Sequence, residues 1–262
     1  MQRRDFLAGT LTGLAAGVGL EKLLEYERKS YESSKEENGK LPWYMEYAKP
    51  SFAQQGEDLI IDSIFQNHLK IKKPSYIDIG AYHPIYSNNT FLFYLEGSRG
   101  VLVEPNPAYT KLLKTVRKED TVLNIGIGIT DEKEADYYVF DKNSQLNTFS
   151  KDRADEYVKE YGPGILKEVI KMPLVNINEV LEKNFKKAPN IFSIDVEGLD
   201  LDILKTLDFK RYRPDLFCVE SSKFGTFKVK DDVSDFMQTK GYSACASTYV
   251  NTMYIDNRFF TS

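Results

Sequence analysis

The sequence predicts one α/β domain built on a mostly parallel, seven-stranded sheet that ends in a C-terminal antiparallel hairpin. Three observations carry this expectation. Short β-branched runs alternate with longer amphipathic stretches from residue 51 to residue 256, the order that produces parallel strands covered by helices on both faces. The last two runs, 242–246 and 252–256, lie too close together for a helical crossover, so they should pair antiparallel. A content of 42% hydrophobic and 13% aromatic residues is that of a packed core and not of a disordered chain.

Taken in order, Leu59, Ile60, Ile61, Ile64 and Phe65 recur at helical spacing and predict a helix over 55–68. A buried strand over 75–80 follows, then a helix over 89–96 stopped by Gly97, a strand over 100–104, a helix over 108–117 and a strand over 121–129. The stretch 136–171 is less regular. It holds a strand over 137–140, a polar loop over 143–147, and a helix over 151–161 that Gly162-Pro163-Gly164 breaks. Regular alternation then resumes: strand 172–177, helix 178–184, strand 190–196, helix 199–207, strand 215–220 and helix 231–240 lead into the hairpin. No internal repeat is visible. A parallel sheet closed by an antiparallel hairpin is the architecture of class I methyltransferases.

The first fifty residues read differently, and the folded domain is expected to span 51–262. Gln2-Arg3-Arg4-Asp5-Phe6-Leu7 precedes an uncharged run over 7–20 rich in Ala and Gly, which resembles a twin-arginine export signal. The run is shorter than the roughly 20 residues needed to span a bilayer. Residues 1–20 are therefore read as a signal or membrane anchor, with a frayed amphipathic helix as the plainer alternative. Residues 21–50 form a charged, partly helical linker. Location stays open between the cytoplasm, the inner face of the membrane, and export.

Charge and composition narrow the function. Thirty-five Lys and Arg against 39 Asp and Glu give a net charge of −4, which lacks the positive field that nucleic-acid binding needs. Two histidines and two cysteines are too few for a four-cysteine or three-histidine zinc site or for a disulfide scaffold, so no metal is expected. Cys218 and Cys245 are read as buried, reduced core residues.

Ligands of such sheets bind beyond the carboxyl ends of the strands. The first strand leads into Asp78-Ile79-Gly80-Ala81-Tyr82-His83-Pro84. A pyrophosphate cradle wants several glycines and free backbone N–H groups, yet only Gly80 is present and Pro84 has no N–H. S-adenosylmethionine carries no phosphate. Gly80 permits close backbone approach, Asp78 can orient an amine, and Glu104, about 24 residues on, can accept both ribose hydroxyls. Glu104 alone indicates only a nucleoside. A second signal is Phe192-Ser193-Ile194-Asp195-Val196-Glu197-Gly198-Leu199-Asp200, a buried strand emerging into carboxylates at a helix start. Capping of the helix dipole accounts for Asp200 and Asp202. Asp195 is explained less well, because a charge at the end of a buried strand needs a partner.

With these stretches assembled, the chain resembles the FkbM-type methyltransferases. The matching pieces are Phe52-Ala53-Gln54-Gln55-Gly56-Glu57-Asp58-Leu59, residues 76–89, Val103-Glu104-Pro105-Asn106-Pro107, residues 192–204, and Gly241-Tyr242. The resemblance implies an S-adenosylmethionine-dependent O-methyltransferase whose acceptor is a hydroxyl on a saccharide, glycoconjugate or other natural product. It implies that Asp78, Gly80 and Ala81 line the methionine part, that Glu104 binds the ribose, and that Asn124 and Ile125 sit near the adenine. Asp195 and Glu197 would lie by the transferred methyl. Candidates for the base that deprotonates the hydroxyl are His83, Asp195, Glu197 and Glu220. A metal-assisted route through Asp195, Glu197 and Glu220 is a weaker option. A non-catalytic nucleotide-fold binding protein, exported or membrane-tethered, is the alternative function, and an NAD-dependent oxidoreductase the third.

Two other leads are read plainly. Asn106-Pro107-Ala108-Tyr109 resembles the Asn-Pro-Pro-Tyr box of amino-methyltransferases but follows the wrong strand, so it is taken as a turn starting a helix. Tyr137, Tyr138, Tyr157 and Tyr161 are taken as an amphipathic insert covering the sheet, in a segment expected to shape acceptor choice. Bulky Tyr82 and His83 are expected to narrow the acceptor pocket.

Overall fold

The computed structural model describes residues 48–140, 146–196, 198–220 and 231–260. The signal-like segment, nearly all of the charged linker, and Glu197 lie outside the described residues. Among those described, no helix is long and apolar enough to cross a membrane.

Among the described residues, the compact unit from Ser51 to Ser262 carries ten strands. They are β1 (Tyr76–Ile79), β2 (Gly100–Val103), β3 (Thr121–Leu123), β4 (Gly126–Gly128), β5 (Glu134–Val139), β6 (Glu168–Asn176), β7 (Ile191–Ile194), β8 (Leu216–Glu220), β9 (Tyr242–Ser247) and β10 (Asn251–Asp256). Seven form the main sheet in the order β3-β2-β1-β7-β8-β10-β9. The first five of these pair in parallel, while β10 runs antiparallel to both β8 and β9. The expected seven-stranded class I sheet with its antiparallel hairpin is present. Strand order reverses between β1 and β7, which places a crevice at their carboxyl ends.

The helices are α1 (Glu57–Ser63), continued by a π-helical turn at Ile64–Leu69, α2 (Phe91–Leu95), α3 (Pro107–Val116), α4 (Lys151–Tyr161), α5 (Ile177–Asn184), α6 (Asp200–Thr206) and α7 (Asp231–Thr239). Strands β1, β7 and β8 are buried at every position, because helices cover both faces of the sheet. Side chains alternate between two cores. Ile77, Ile79, Val101 and Val103 meet Val180, Leu181, Ile203, Leu204, Val233 and Met237 of α5, α6 and α7. Tyr76, Leu102, Ile191 and Leu216 meet Ile61, Phe65, Phe93 and Leu113 on the other face.

The run expected as one strand over 121–129 is instead two strands in two sheets. After β3, the Asn124 side chain donates to the backbone oxygens of Glu104 and Pro105 and so ties the chain to the end of β2. The next residues leave the main sheet, and β4 pairs in parallel with β6. Gly126 makes that pairing fit: a Cβ there would come within 2.5 Å of Phe149 Cζ and 2.8 Å of Leu174 Cδ2. The second sheet, ordered β4-β6-β5, was not expected from the sequence. With α4 it forms an insert that has two small cores of its own. One gathers Tyr137, Val139 and Met172, the other Phe140, Ala154 and Tyr157. A further correction concerns Cys245, which is exposed on β9, whereas Cys218 is buried as expected; both are free thiols.

Two buried polar arrangements hold the sheet ends in place. Asp58 accepts hydrogen bonds from Ser51 Oγ and from the backbone of Phe52, Ala53 and Leu59, shaping the segment before α1. Glu57, fully buried, accepts from Thr248 Oγ1 at 2.6 Å and Asn251 Nδ2 at 3.1 Å, which joins that segment to the final hairpin. On the face shared by Tyr76, the buried Arg117 pairs with Asp120 at 2.8 Å and donates to the Tyr76 hydroxyl, Asn88 Oδ1 and Thr90 Oγ1. A buried guanidinium is tolerated only when paired and hydrogen-bonded in this way.

Candidate active site

A cleft of about 300 Å3 opens at the carboxyl ends of β1, β2 and β7. Its floor begins at Gly80, which has φ +83° and whose backbone N–H donates to Val103 O at 3.0 Å. A Cβ at Gly80 would overlap the backbone oxygen of Asp195, so the ends of β1 and β7 touch main chain to main chain and only glycine fits. Asp195 continues β7 through its N–H to Ile79 O at 3.0 Å and lines the cleft beside Gly80.

Glu104 ends β2 and lines the same cleft while only 4% exposed. One carboxylate oxygen accepts from Tyr82 N at 2.8 Å and the other from Asn106 N at 2.7 Å. Burial pushes its carboxyl up to about 7, against the lowering effect of those two N–H groups. Each carboxylate oxygen has two acceptor positions, so each keeps one for a ligand. Ile125 and Ile127 add an apolar wall, and Glu220 lies at the end of β8 in the same cleft.

The remaining expected residues lie elsewhere. Asp78 does not line the cleft. Its side chain shares the face of Tyr76, where it accepts from Thr90 Oγ1 at 2.8 Å, and burial raises its pKa against hydrogen bonds from Thr90 and Ser193. It supports the strand end from the face opposite Ile77 and Ile79. Ala81 is 2% exposed and packs in the core of that face, while its carbonyl accepts from Asn88 Nδ2. Asn124 acts on the chain ends of β2 and β3, as described above. His83 also stays out of the cleft. Its Nδ1 accepts from the backbone of Ile85 and Tyr86, and burial pushes the imidazole down to about 4. That is the role of a turn-capping group and a poor match to a general base. Among the described residues no cluster of three or more His, Cys, Asp or Glu is placed to hold a metal. Asp200 and Asp202 lie in the first turn of α6, where they complement its dipole without capping it; Asp200 accepts from Val196 N and Gly198 N in the loop before the helix, and Asp202 pairs with Lys205.

Several cleft residues were either not singled out for the site (Gln54, Asn147, Phe149) or weighed as an acceptor groove and set aside (Tyr137, Tyr157). Gln54 comes from the segment before α1; Tyr137, Asn147, Phe149 and Tyr157 come from the insert. The plain reading of the tyrosines holds for Tyr161, which is 54% exposed, and needs correcting for Tyr137 and Tyr157. Asn106 caps α3, its Oδ1 accepting from Ala108 N at 3.0 Å, as a helix-starting turn requires. Yet Tyr109 of the same turn also lines the cleft, its ring 4.4 Å from that of Tyr82. No local pattern marks these residues, because they meet only when the insert folds over the sheet.

The methyltransferase FkbM domain model matches residues 78–244, more than half of the chain, from within β1 to within β9. The chain belongs to this family. Among solved structures, the FkbM methyltransferase from Methylobacillus flagellatus KT is 15% identical over 70% of this chain and 44% of its own length, with a TM-score of 0.41. This FkbM-domain chain thus spans less than half of that protein. The O-methyltransferase from Bacillus cereus in complex with SAH is 9% identical over 95% of this chain and 97% of its own, with a TM-score of 0.40. The 1,6-didemethyltoxoflavin-N1-methyltransferase of Burkholderia thailandensis, with bound S-adenosylhomocysteine, is 10% identical over 91% of this chain and 90% of its own, at 0.39. No curated protein gives a significant match.

Proposed function

We propose that this FkbM-domain chain transfers a methyl group from S-adenosylmethionine to a hydroxyl of a small molecule or glycan. The observation that carries the reading is Glu104: a buried carboxylate at a strand end, held by two backbone N–H groups, with one acceptor position left on each oxygen. That pair of acceptors fits a ribose diol, whose two hydroxyls donate. The Gly80–Asp195 contact beside it leaves bare backbone where an amino-acid tail would lie, and the loop after β1 has too few glycines and free N–H groups for a diphosphate.

When bound, S-adenosylmethionine supplies a methyl group on a cationic sulfur. The chain's own groups do the rest. Glu104 holds the ribose, and Ile125 and Ile127 exclude water from the base. Asp195 places a carboxylate on the wall beside Gly80, where opposite charge favours a cationic ligand. The proton of the acceptor hydroxyl goes to Asp195 or Glu220, the other cleft carboxylates among the described residues once Glu104 is committed to ribose; base catalysis of this kind contributes about 10²- to 10⁴-fold. Holding the two reactants in line contributes more, roughly 7 to 11 kcal/mol.

Calorimetry with S-adenosylhomocysteine tests the reading. The wild-type protein should bind it, and Glu104→Ala should weaken binding by at least roughly 100-fold, since two hydrogen bonds to a charged acceptor contribute about 1.5 to 3 kcal/mol each. Wild-type protein that takes up no S-adenosylhomocysteine would remove the methyltransferase reading. Transfer of a labelled methyl group to hydroxyl-bearing acceptors, followed by mass, then identifies the acceptor.

A further inference from the structure

The geometry points to Phe149, carried by the insert, as the ring against which the adenine of the bound cofactor packs. This rests on the methyltransferase reading and deepens it. A ribose held at Glu104 sends its base and its thioether chain in opposite directions. Gly80 and Asp195 occupy one side of Glu104. The other side leads past Asn124, whose side chain bonds Glu104 O and Pro105 O, to Ile125, Gly126 and Ile127. Phe149 stands on that side, in the cleft and directly against Gly126, where its ring leaves no room for a Cβ.

The ring is fixed in advance. Thr148, immediately before it, exchanges two backbone hydrogen bonds with Tyr138, at 2.9 and 3.2 Å. Ser150, immediately after it, caps α4 by accepting from Arg153 N. Tyr137, 4% exposed, backs the ring at a centroid distance of 4.7 Å. Phe149 itself is only partly buried, so part of its surface still faces the cleft. A rigid aromatic surface beside Ile125 and Ile127 suits a flat heterocycle, and it is tolerant of which atoms that heterocycle carries. The insert would then contribute to cofactor binding as well as to acceptor choice.

The test compares two ligands that share adenine but differ in the tail, S-adenosylhomocysteine and 5′-methylthioadenosine, by calorimetry on the full chain. Phe149→Leu keeps an apolar side chain against Gly126 and Leu174 but removes the ring; Phe149→Tyr keeps the ring. Thermal unfolding confirms that both variants fold. The expected result is that Phe149→Leu weakens both ligands by the same factor, at least about fivefold, and that Phe149→Tyr restores them. Wild-type affinities for both ligands in Phe149→Leu, or a loss confined to one of them, would overturn the assignment alone. If the wild-type protein binds neither ligand, the methyltransferase reading fails and this assignment fails with it.

Discussion

On the sheet side of the cleft, Gly80, Glu104 and Asp195 are placed by backbone hydrogen bonds between neighbouring strands. On the insert side, backbone bonds also hold Tyr137 and the neighbours of Phe149, but the insert they belong to is packed by the side chains of small cores separate from the main one. The first kind of placement is stiff, because moving one residue means moving a strand. The second depends on a few apolar contacts, and structure held that way opens at lower cost. The cleft thus joins a rigid wall, suited to holding a cofactor in one geometry, to a wall whose residues can change without disturbing the sheet.

The largest expected effect tests the rigid wall from behind. Arg117→Met leaves Asp120 buried without its cation, beneath the face that carries Asp78 and Thr90. The expected loss is about 3 to 5 kcal/mol in denaturant unfolding; a loss under about 1 kcal/mol would show that the sheet ends do not depend on this pair.

A smaller effect concerns Glu104. Its ligand-free pKa of about 7 means that it is mostly protonated near pH 6 and mostly charged near pH 8, and ribose hydroxyls donate best to the charged form. Affinity for S-adenosylhomocysteine should therefore rise about tenfold from about pH 6 to about pH 8, with proton release on binding at the lower pH. Calorimetry in buffers of different ionisation enthalpy measures both, and a flat profile would place the ribose elsewhere. The stability of the ligand-free protein responds with the opposite sign. Because folding raises this pKa above its ordinary 4.5, the stabilising contribution of the protonated carboxyl is full below about 4.5 and lost as pH rises through about 7.

The smallest effect separates a turn residue from a base. His83→Ala removes the acceptor of two backbone N–H groups, which should cost about 1 kcal/mol. Affinity for S-adenosylhomocysteine should stay within about threefold of wild type, and the pH profile of methyl transfer should keep its shape. A missing limb in that profile would return His83 to the chemistry.

The sheet wall was legible in the sequence because its signals are local. An apolar strand that stops at a glycine or a carboxylate marks Gly80, Glu104 and Asp195 without any long-range information. The side-chain direction of Asp78 was less legible: two-residue alternation puts it on the face opposite Ile77 and Ile79, against Thr90. The break between β3 and β4 was hidden in an unpunctuated run whose one clue was the paired Gly126 and Gly128. The insert's contribution was illegible for a different reason. Phe149 and Gly126 are complementary only across a fold contact, and nothing near either residue announces the other. The Arg117 cluster likewise gathers Tyr76, Asn88, Thr90 and Asp120 from separate elements.

The clasp at Glu57 has a consequence for how the protein comes into being. Its two side-chain donors, Thr248 and Asn251, lie 191 and 194 residues further along the chain, and Gln54 and Val250 meet in the cleft from the same two regions. The backbone N–H of Gln55 serves one oxygen of that carboxylate locally, but during synthesis the other oxygen waits for the hairpin to supply Thr248 and Asn251. The cleft therefore gains the Val250 part of its wall only once β9 and β10 have formed, however early the central strands pair.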